Sequence, residues 1–275
     1  GSVPFSKKLM TIKIRKIHTF CKTIFMDYLR KIITAFELHS VEDIHDCFEN
    51  GVDPNQVVNG KPLIYELINM YTRGPAFKSC IQACVDHGLD FEDKVLLAVL
   101  ADDAAKLDAL LKANKDLLFR TYTLDCTFTP LYEASLLHIC AEYNHLACAK
   151  VLVNHGANIN AKAGLDENGF GGHTPVFHTV NQHANKSIDV LQHLLGLNAD
   201  LTLTVKGLLW GEGYEWETFI PSVNPISYAM MGLLRQFQRT EQDIYEVVSL
   251  LFKALYGTAY YPVNVPNKYL NISKP

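Results

Sequence analysis

Several things are scarce in this sequence, and each absence narrows what it can do. No stretch of some 18 uncharged apolar residues occurs, so no helix is expected to span a bilayer. There is no H-E-x-x-H pair and no G-x-S-x-G elbow, and the G-x-G at 211–213 lacks the third glycine and the following helix of a phosphate loop. No uninterrupted apolar run and no small-residue cleavage site follow the basic N-terminal residues, which disfavours a secretory signal. Tryptophan is nearly absent, and its two copies, Trp210 and Trp216, sit six positions apart in "WGEGYEWETF". Two glycines and three glutamates share that stretch, so it reads neither as core helix nor as ordinary strand.

What is present is an ordinary globular composition, 48% hydrophobic and 20% charged over 275 residues. The seven cysteines, odd in number, fall mostly within apolar helical patterns, which favours buried, reduced thiols and a cytoplasmic setting. Charge is uneven. Residues 1–31 hold eight of the 25 Lys and Arg but only Asp27 of the 29 acids, leaving 17 bases against 28 acids in the rest. Ile17, Phe20, Ile24, Tyr28 and Ile32 recur there at helical spacing, so the basic end is expected to form an amphipathic capping helix. The acidic remainder is a poor nucleic-acid surface.

Self-similarity organises the chain. Residues 135–160, "SLLHICAEYNHLACAKVLVNHGANIN", contain two short apolar helical patterns followed by Gly-Ala-Asn. Each is about three turns long, too short to be stable alone. The stretch resembles an ankyrin repeat through Leu137, His138, Ala141, His145, Val151, Leu152, Gly156, Ala157 and Asn158, with Ser135-Leu136 replacing the usual Thr-Pro. More degenerate copies follow: "GHTPVFHTV" at 172–180 with "IDVLQHLLGLNADL" at 188–201, and "NPISYAMMG" at 224–232 with "DIYEVVSLLFKAL" at 243–255. Upstream lie "VEDIHDCFENGVDPN" at 41–55, "GKPLIYELI" with "CIQACVDHGLD" between 60 and 90, and a weak copy at 94–116. Leu63 to Leu96 is 33 positions, and the intervals on to Leu137, Val176 and Ile226 are 41, 39 and 50, the excess being inserted loop.

The resemblance implies an all-α solenoid of about six helix-pair repeats spanning 28–255, with a basic capping segment at 1–27, a tail at 256–275, and enlarged finger loops at 160–173 and 204–224. Its physical sense is that stacked pairs share one core. A glycine after each second helix supplies the left-handed stop. The combination of "ENGFGGHTP" and "WGEGYEWET" resembles bacterial ankyrin proteins with enlarged fingers and no assigned activity.

The resemblance also implies a function: a non-enzymatic module that binds a protein or peptide on its concave face and fingers. Successive fingers project from one edge, so Trp210, Tyr214, Trp216 and Phe219 are expected beside Phe170, with Glu212 and Glu215 adding negative charge; Trp210 and Trp216 serve there either as contacts or as struts of a mini-core that holds the excursion in place. The first-helix positions Ile139, Glu142, Tyr143, His178, Asn181, Gln182 and Tyr228 are expected to be exposed. That acidic, aromatic surface suits a basic or Arg-bearing partner segment. No cofactor, metal or catalytic residue is expected, because the D-x-[DN]-x-[DN]-G spacing fails at "DENG", 166–169, and His138 and His145 occupy structural slots of the repeat. Two alternatives stay open: a metal-dependent or hydrolytic site built from Asp166, Glu167, Glu212, Glu215 and Glu217 with His173 or His178, and a membrane-surface adaptor that uses the basic N-terminal helix.

Overall fold

The structure is a computed structural model that describes residues 27–125, 129–210, 213, 215, 217–231 and 239–260. The basic segment 1–26 and the tail from 261 on lie outside the described residues. The chain forms two compact units: one ends at residue 72 and also takes in 79–90, and the other comprises 73–78 and the residues from 91 on.

In the first unit α1 covers 27–38 and α2 covers Val41–Glu49. Ser40 caps α2, its Oγ accepting from the Asp43 N–H, and Ile44, Cys47 and Phe48 form the buried stripe at i, i+3 and i+4. A short hairpin, β1 (Val57–Val58) and β2 (Lys61–Pro62), leads to α3 (Ile64–Ile68). Helix α4 (Phe77–Asp86) buries Cys80, Ile81, Ala83 and Cys84. Cys80 and Cys84 are thus packing residues, as expected; burial pushes the Cys84 thiol up to about 12.

The second unit continues with α5 (Lys94–Leu100), α6 (Ala104–Ala113), α7 (Leu136–Tyr143), α8 (Leu146–Asn154), α9 (Phe177–Val180), α10 (Ile188–Gly196), α11 (Pro225–Ala229) and α12 (Glu241–Tyr256). These fall into pairs that stack in two rows. The first helices pack as α5 on α7, α7 on α9 and α9 on α11, and the second helices as α6 on α8, α8 on α10 and α10 on α12. Leu107, Leu111, Leu152, Val190, Leu191, Leu194 and Val248 are buried between the second helices, none of them able to hide its apolar surface within one pair.

The repeat is written in the backbone at the helix ends. Val52, Leu89, Ala157 and Ala199 donate to the carbonyls of Cys47, Cys84, Leu152 and Leu194, and the preceding residue of each donates to the carbonyl three positions back. This is the Schellman stop. Gly51, Gly88 and Gly156 take the left-handed conformation in three of the copies, and Asn198 takes it in the fourth at φ 61°. Beyond three of the four stops an Asx turn follows: Asp53, Asn158 and Asp200 accept from the backbone N–H two residues on, at 2.9 Å in each case. Asn160 Oδ1 then accepts from the Asp200 N–H of the next turn at 2.9 Å, and in the first unit Asn55 does the same for Asp90 at 2.7 Å.

The all-α expectation needs correction, because the described residues also form three two-stranded antiparallel sheets. Besides β1–β2 these are β3 (Thr121–Leu124) with β4 (Leu131–Ser135), and β5 (Val205–Trp210) with β6 (Thr218–Val223). The expected loop 204–224 is largely a hairpin in register from Val205↔Val223 to Trp210↔Thr218. An excursion of that length can satisfy its backbone by pairing with itself.

Candidate functional site

The fingers join into one surface because glycines let their backbones touch. Gly164 donates to the Tyr132 carbonyl of β4 at 2.9 Å, and Gly171 bridges Lys206 of β5. A Cβ on Gly164 would come within 2.7 Å of the Glu133 Cβ and 2.9 Å of the Tyr132 ring. The loop between them closes on itself: Asp166 Oδ1 accepts from the Asn168 and Phe170 N–H groups, each at 2.8 Å. That carboxylate is committed to its own turn rather than offered to an ion. Phe170 lies against Gly207, whose Cβ, were there one, would be 2.1 Å from the ring. The same ring meets Phe219 of β6 at 5.6 Å between centroids.

The two fingers therefore touch through Phe170 and Phe219, as the spacing of the insertions predicts. Tyr132, Leu165 and Phe219 are 41%, 57% and 52% exposed there. Sequence reasoning passed over Tyr132 and Leu165; the signal available was that the fingers are successive, so the strand before α7 had to flank the loop at 160–173. A small cavity of about 160 Å³ between Tyr132, Phe170, Gly207 and Leu209 opens on this edge. Asp166 lines it, and along the finger segments Glu133, Glu167, Glu215 and Glu217 are exposed against Lys162 and Lys206. Of the other expected finger residues, Glu212, Tyr214 and Trp216 lie outside the described residues. Trp210 ends β5.

The expected first-helix surface is not exposed. Ile139, Glu142 and His178 are fully buried, and Tyr143, Gln182 and Tyr228 are nearly so, while Asn181 is half-buried. For Glu142 and Tyr143 the reason is that the chain supplies its own occupant. Segment 73–78 lies over α7: Arg73 Nε donates to Glu142 Oε1 at 2.9 Å, its guanidinium carbon sits 4.6 Å from the centre of the Tyr143 ring, and Phe77 stacks on Tyr143 at 4.3 Å. Lys186 donates from the facing turn to the Arg73 carbonyl at 2.5 Å. An arginine on an acidic, aromatic site is the expected chemistry, but the arginine is internal. Beside it runs a cleft of about 480 Å³, whose lining pairs three cations, Arg73, Lys78 and Lys186, with three acids, Asp102, Glu142 and Asp189.

Behind this contact is a buried polar cluster. His178 Nδ1 meets Glu142 Oε2 at 3.0 Å. Burial works to raise the Glu142 carboxyl, but the Arg73 charge and the His178 hydrogen bond outweigh it and hold the group below its ordinary range. Burial together with the neighbouring His178 pushes His138 and His173 down to about 3. His138 does tie one repeat to the next, as its slot implies: its Nδ1 accepts from the Ser135 N–H at 3.1 Å, so its Nε2–H donates to the His173 carbonyl at 2.9 Å. His145 Nδ1 donates to the Val99 carbonyl at 2.7 Å.

A carboxylate-held imidazole can serve as a general base where substrate reaches it. Here His178 and Glu142 are both fully enclosed, and His173 is 2% exposed. Of the residues of the metal-site alternative, His173 and His178 are buried while Asp166, Glu167, Glu215 and Glu217 are exposed, and Glu212 lies outside the described residues. Among the described residues no group of three or more His, Cys, Asp or Glu is placed to hold a metal ion, and no helix is long and apolar enough to cross a membrane.

No curated protein matches the chain. The ankyrin-repeat family model matches residues 128–163, which run from the approach to β4 through α7 and α8 into the first enlarged finger. Ankyrin repeats generally mediate protein–protein interaction, and the match falls on the α7/α8 pair.

Proposed function

We propose that the chain is a non-enzymatic binding module of stacked ankyrin-like pairs that grips a partner protein through its finger edge. The observation that carries this reading is the cluster of half-exposed apolar side chains, Tyr132, Leu165 and Phe219, held on interlocked backbone rather than on free loops. Rigid aromatic and aliphatic anchors at a surface lose little entropy on binding, which is why such residues dominate interface energies. The surrounding excess of Glu and Asp favours a partner segment rich in Lys or Arg and speeds its encounter. Glu212, Tyr214 and Trp216, which lie between β5 and β6 in sequence, are further candidate contacts in this reading. In this reading the concave positions Glu142 and His178, which are buried, do not touch the partner.

The test is an affinity capture from native lysate with the wild-type chain, a Leu165→Ser/Phe219→Ser variant, and a Lys186→Ala variant as control, each checked for folding by circular dichroism. A partner kept by wild type and control but lost by the finger variant supports the reading. One kept by the finger variant and lost by Lys186→Ala moves the binding surface to the cleft.

A further inference from the structure

The cavity at the finger edge is lined in part by a buried imidazole. His173, 2% exposed, shares its wall with Tyr132, Phe170 and Asp166. Packing fixes the ring, which meets Phe177 edge-on at 5.4 Å and Tyr228 at 6.1 Å between centroids. Its Nε2 is buried with no hydrogen-bond partner among the described residues. Such a group is rare, and beside a cavity it is a place for an entering hydrogen-bond partner.

Size, rings and charge define what fits. At about 160 Å³ the cavity is close to the volume of about 150 Å³ that accepts a single benzene, so it takes one side chain and not a length of backbone. Tyr132 and Phe170 put two aromatic rings in its wall, and such rings attract cations. Asp166 spends Oδ1 on its own turn, but the charge of its carboxylate stays in the wall. Burial pushes the His173 imidazole down to about 3, so the ring is neutral near pH 7, offers a lone pair and repels no cation.

We propose that this cavity is a socket for one arginine side chain of the partner protein, whose guanidinium lies against Tyr132 and Phe170 beside the Asp166 charge and donates to His173. A planar, weakly hydrated guanidinium suits rings, carboxylate and imidazole at once, whereas the strongly hydrated lysine ammonium does not stack. The assignment to a partner protein rests on the finger-edge reading above, but neither Leu165 nor Phe219 lines the cavity, so the two are tested by different residues.

The probe is Nα-acetyl-arginine N-methylamide, titrated into the full chain and followed through the His173 and Phe170 ring signals by nuclear magnetic resonance. Both signals should move saturably. The citrulline analogue, alike in shape but uncharged, should bind about 10-fold more weakly. Asp166→Asn keeps the oxygen that closes the turn and removes the charge, and should weaken the arginine probe about 3-fold. His173→Phe should weaken it as well. Ring signals that do not move, equal binding of the two probes, or unchanged affinity in either folded variant overturn the socket; if His173→Phe does not fold, Asp166→Asn and the citrulline comparison decide. The lysate capture separates the two readings. A partner lost by Leu165→Ser/Phe219→Ser while the probe leaves both rings unmoved overturns the socket alone. A probe that binds while that variant keeps every partner overturns the finger-edge reading, and with it the docking role of the socket.

Discussion

Replacing Arg73 by alanine should be among the most damaging single changes in the chain. The Arg73 side chain is 4% exposed and that of Glu142 is 0% exposed, and they meet at 2.9 Å. Truncating one partner leaves the other charge buried without its counter-ion, an effect of about 3–5 kcal/mol. The lost packing on Tyr143 acts in the same direction. For a domain of this size, that stability change corresponds to a drop in melting temperature of about 6–20 °C.

The proton linkage has a definite sign. Glu142 has its pKa lowered in the folded state, so its contribution is present above the ordinary carboxyl range and is lost as pH falls through the lowered value. In Arg73→Ala the carboxyl rises and the acid limb of stability moves to higher pH. Glu142→Leu removes an acceptor from both Arg73 and His178, so it should be the worse single change; combining it with Arg73→Met should recover part of the loss. Urea denaturation of wild type, Arg73→Met, Glu142→Leu and their double variant, monitored by circular dichroism, closes this cycle, with Arg73→Ala measured beside them. A loss under about 1 kcal/mol for Arg73→Ala, typical of an exposed pair, would show that water reaches the site and refute the reasoning.

Acid should destabilise the fold well above the carboxyl range. His138 and His173, held down to about 3 by burial, and His145, held down to about 4 by the same cause, cannot take a proton until the unfolded chain has done so near its ordinary value of 6.5. Each then removes about 1.4 kcal/mol per pH unit between those limits, visible as a falling denaturation midpoint from about pH 6.5 downward. Gly207→Ala should drive Phe170 off β5 and open the fingers to protease at a stability loss of about 1–3 kcal/mol, with helical circular dichroism unchanged. Asn160→Ala removes the hydrogen bond to the Asp200 N–H and should lower the urea midpoint by the equivalent of about 1 kcal/mol.

The helix pairs and their stops were legible because local chemistry dictates them: Gly51, Gly88 and Gly156 are left-handed where the sequence places them. Asn198 was not read as a stop, although Asn tolerates that conformation better than other side chains. The finger contact of Phe170 with Phe219 was legible because insertions at equivalent points of adjacent repeats must be neighbours. The burial of Glu142 and Tyr143 was not. Helical periodicity says which positions leave the shared core, but not that residues 73–78, far away in sequence, return to cover them. Nor does composition reveal that the loop 204–224 pairs with itself, since Gly213, Glu215 and Glu217 look the same in a hairpin tip and in an open loop.

The Arg73–Glu142 contact spans 69 positions of chain and passes over the whole α5/α6 pair. In a stack whose pairs touch only their neighbours, unfolding can begin at an end and travel one pair at a time. Here α5 and α6 sit inside a loop of chain that is fastened at both ends to the same buried site. They cannot fray independently of α7, and rupture of a single ion pair should release α5, α6 and the segment before them as one block. The second unit is therefore expected to melt more sharply than a sum of independent pairs, and Arg73→Ala to broaden its transition as well as lower it.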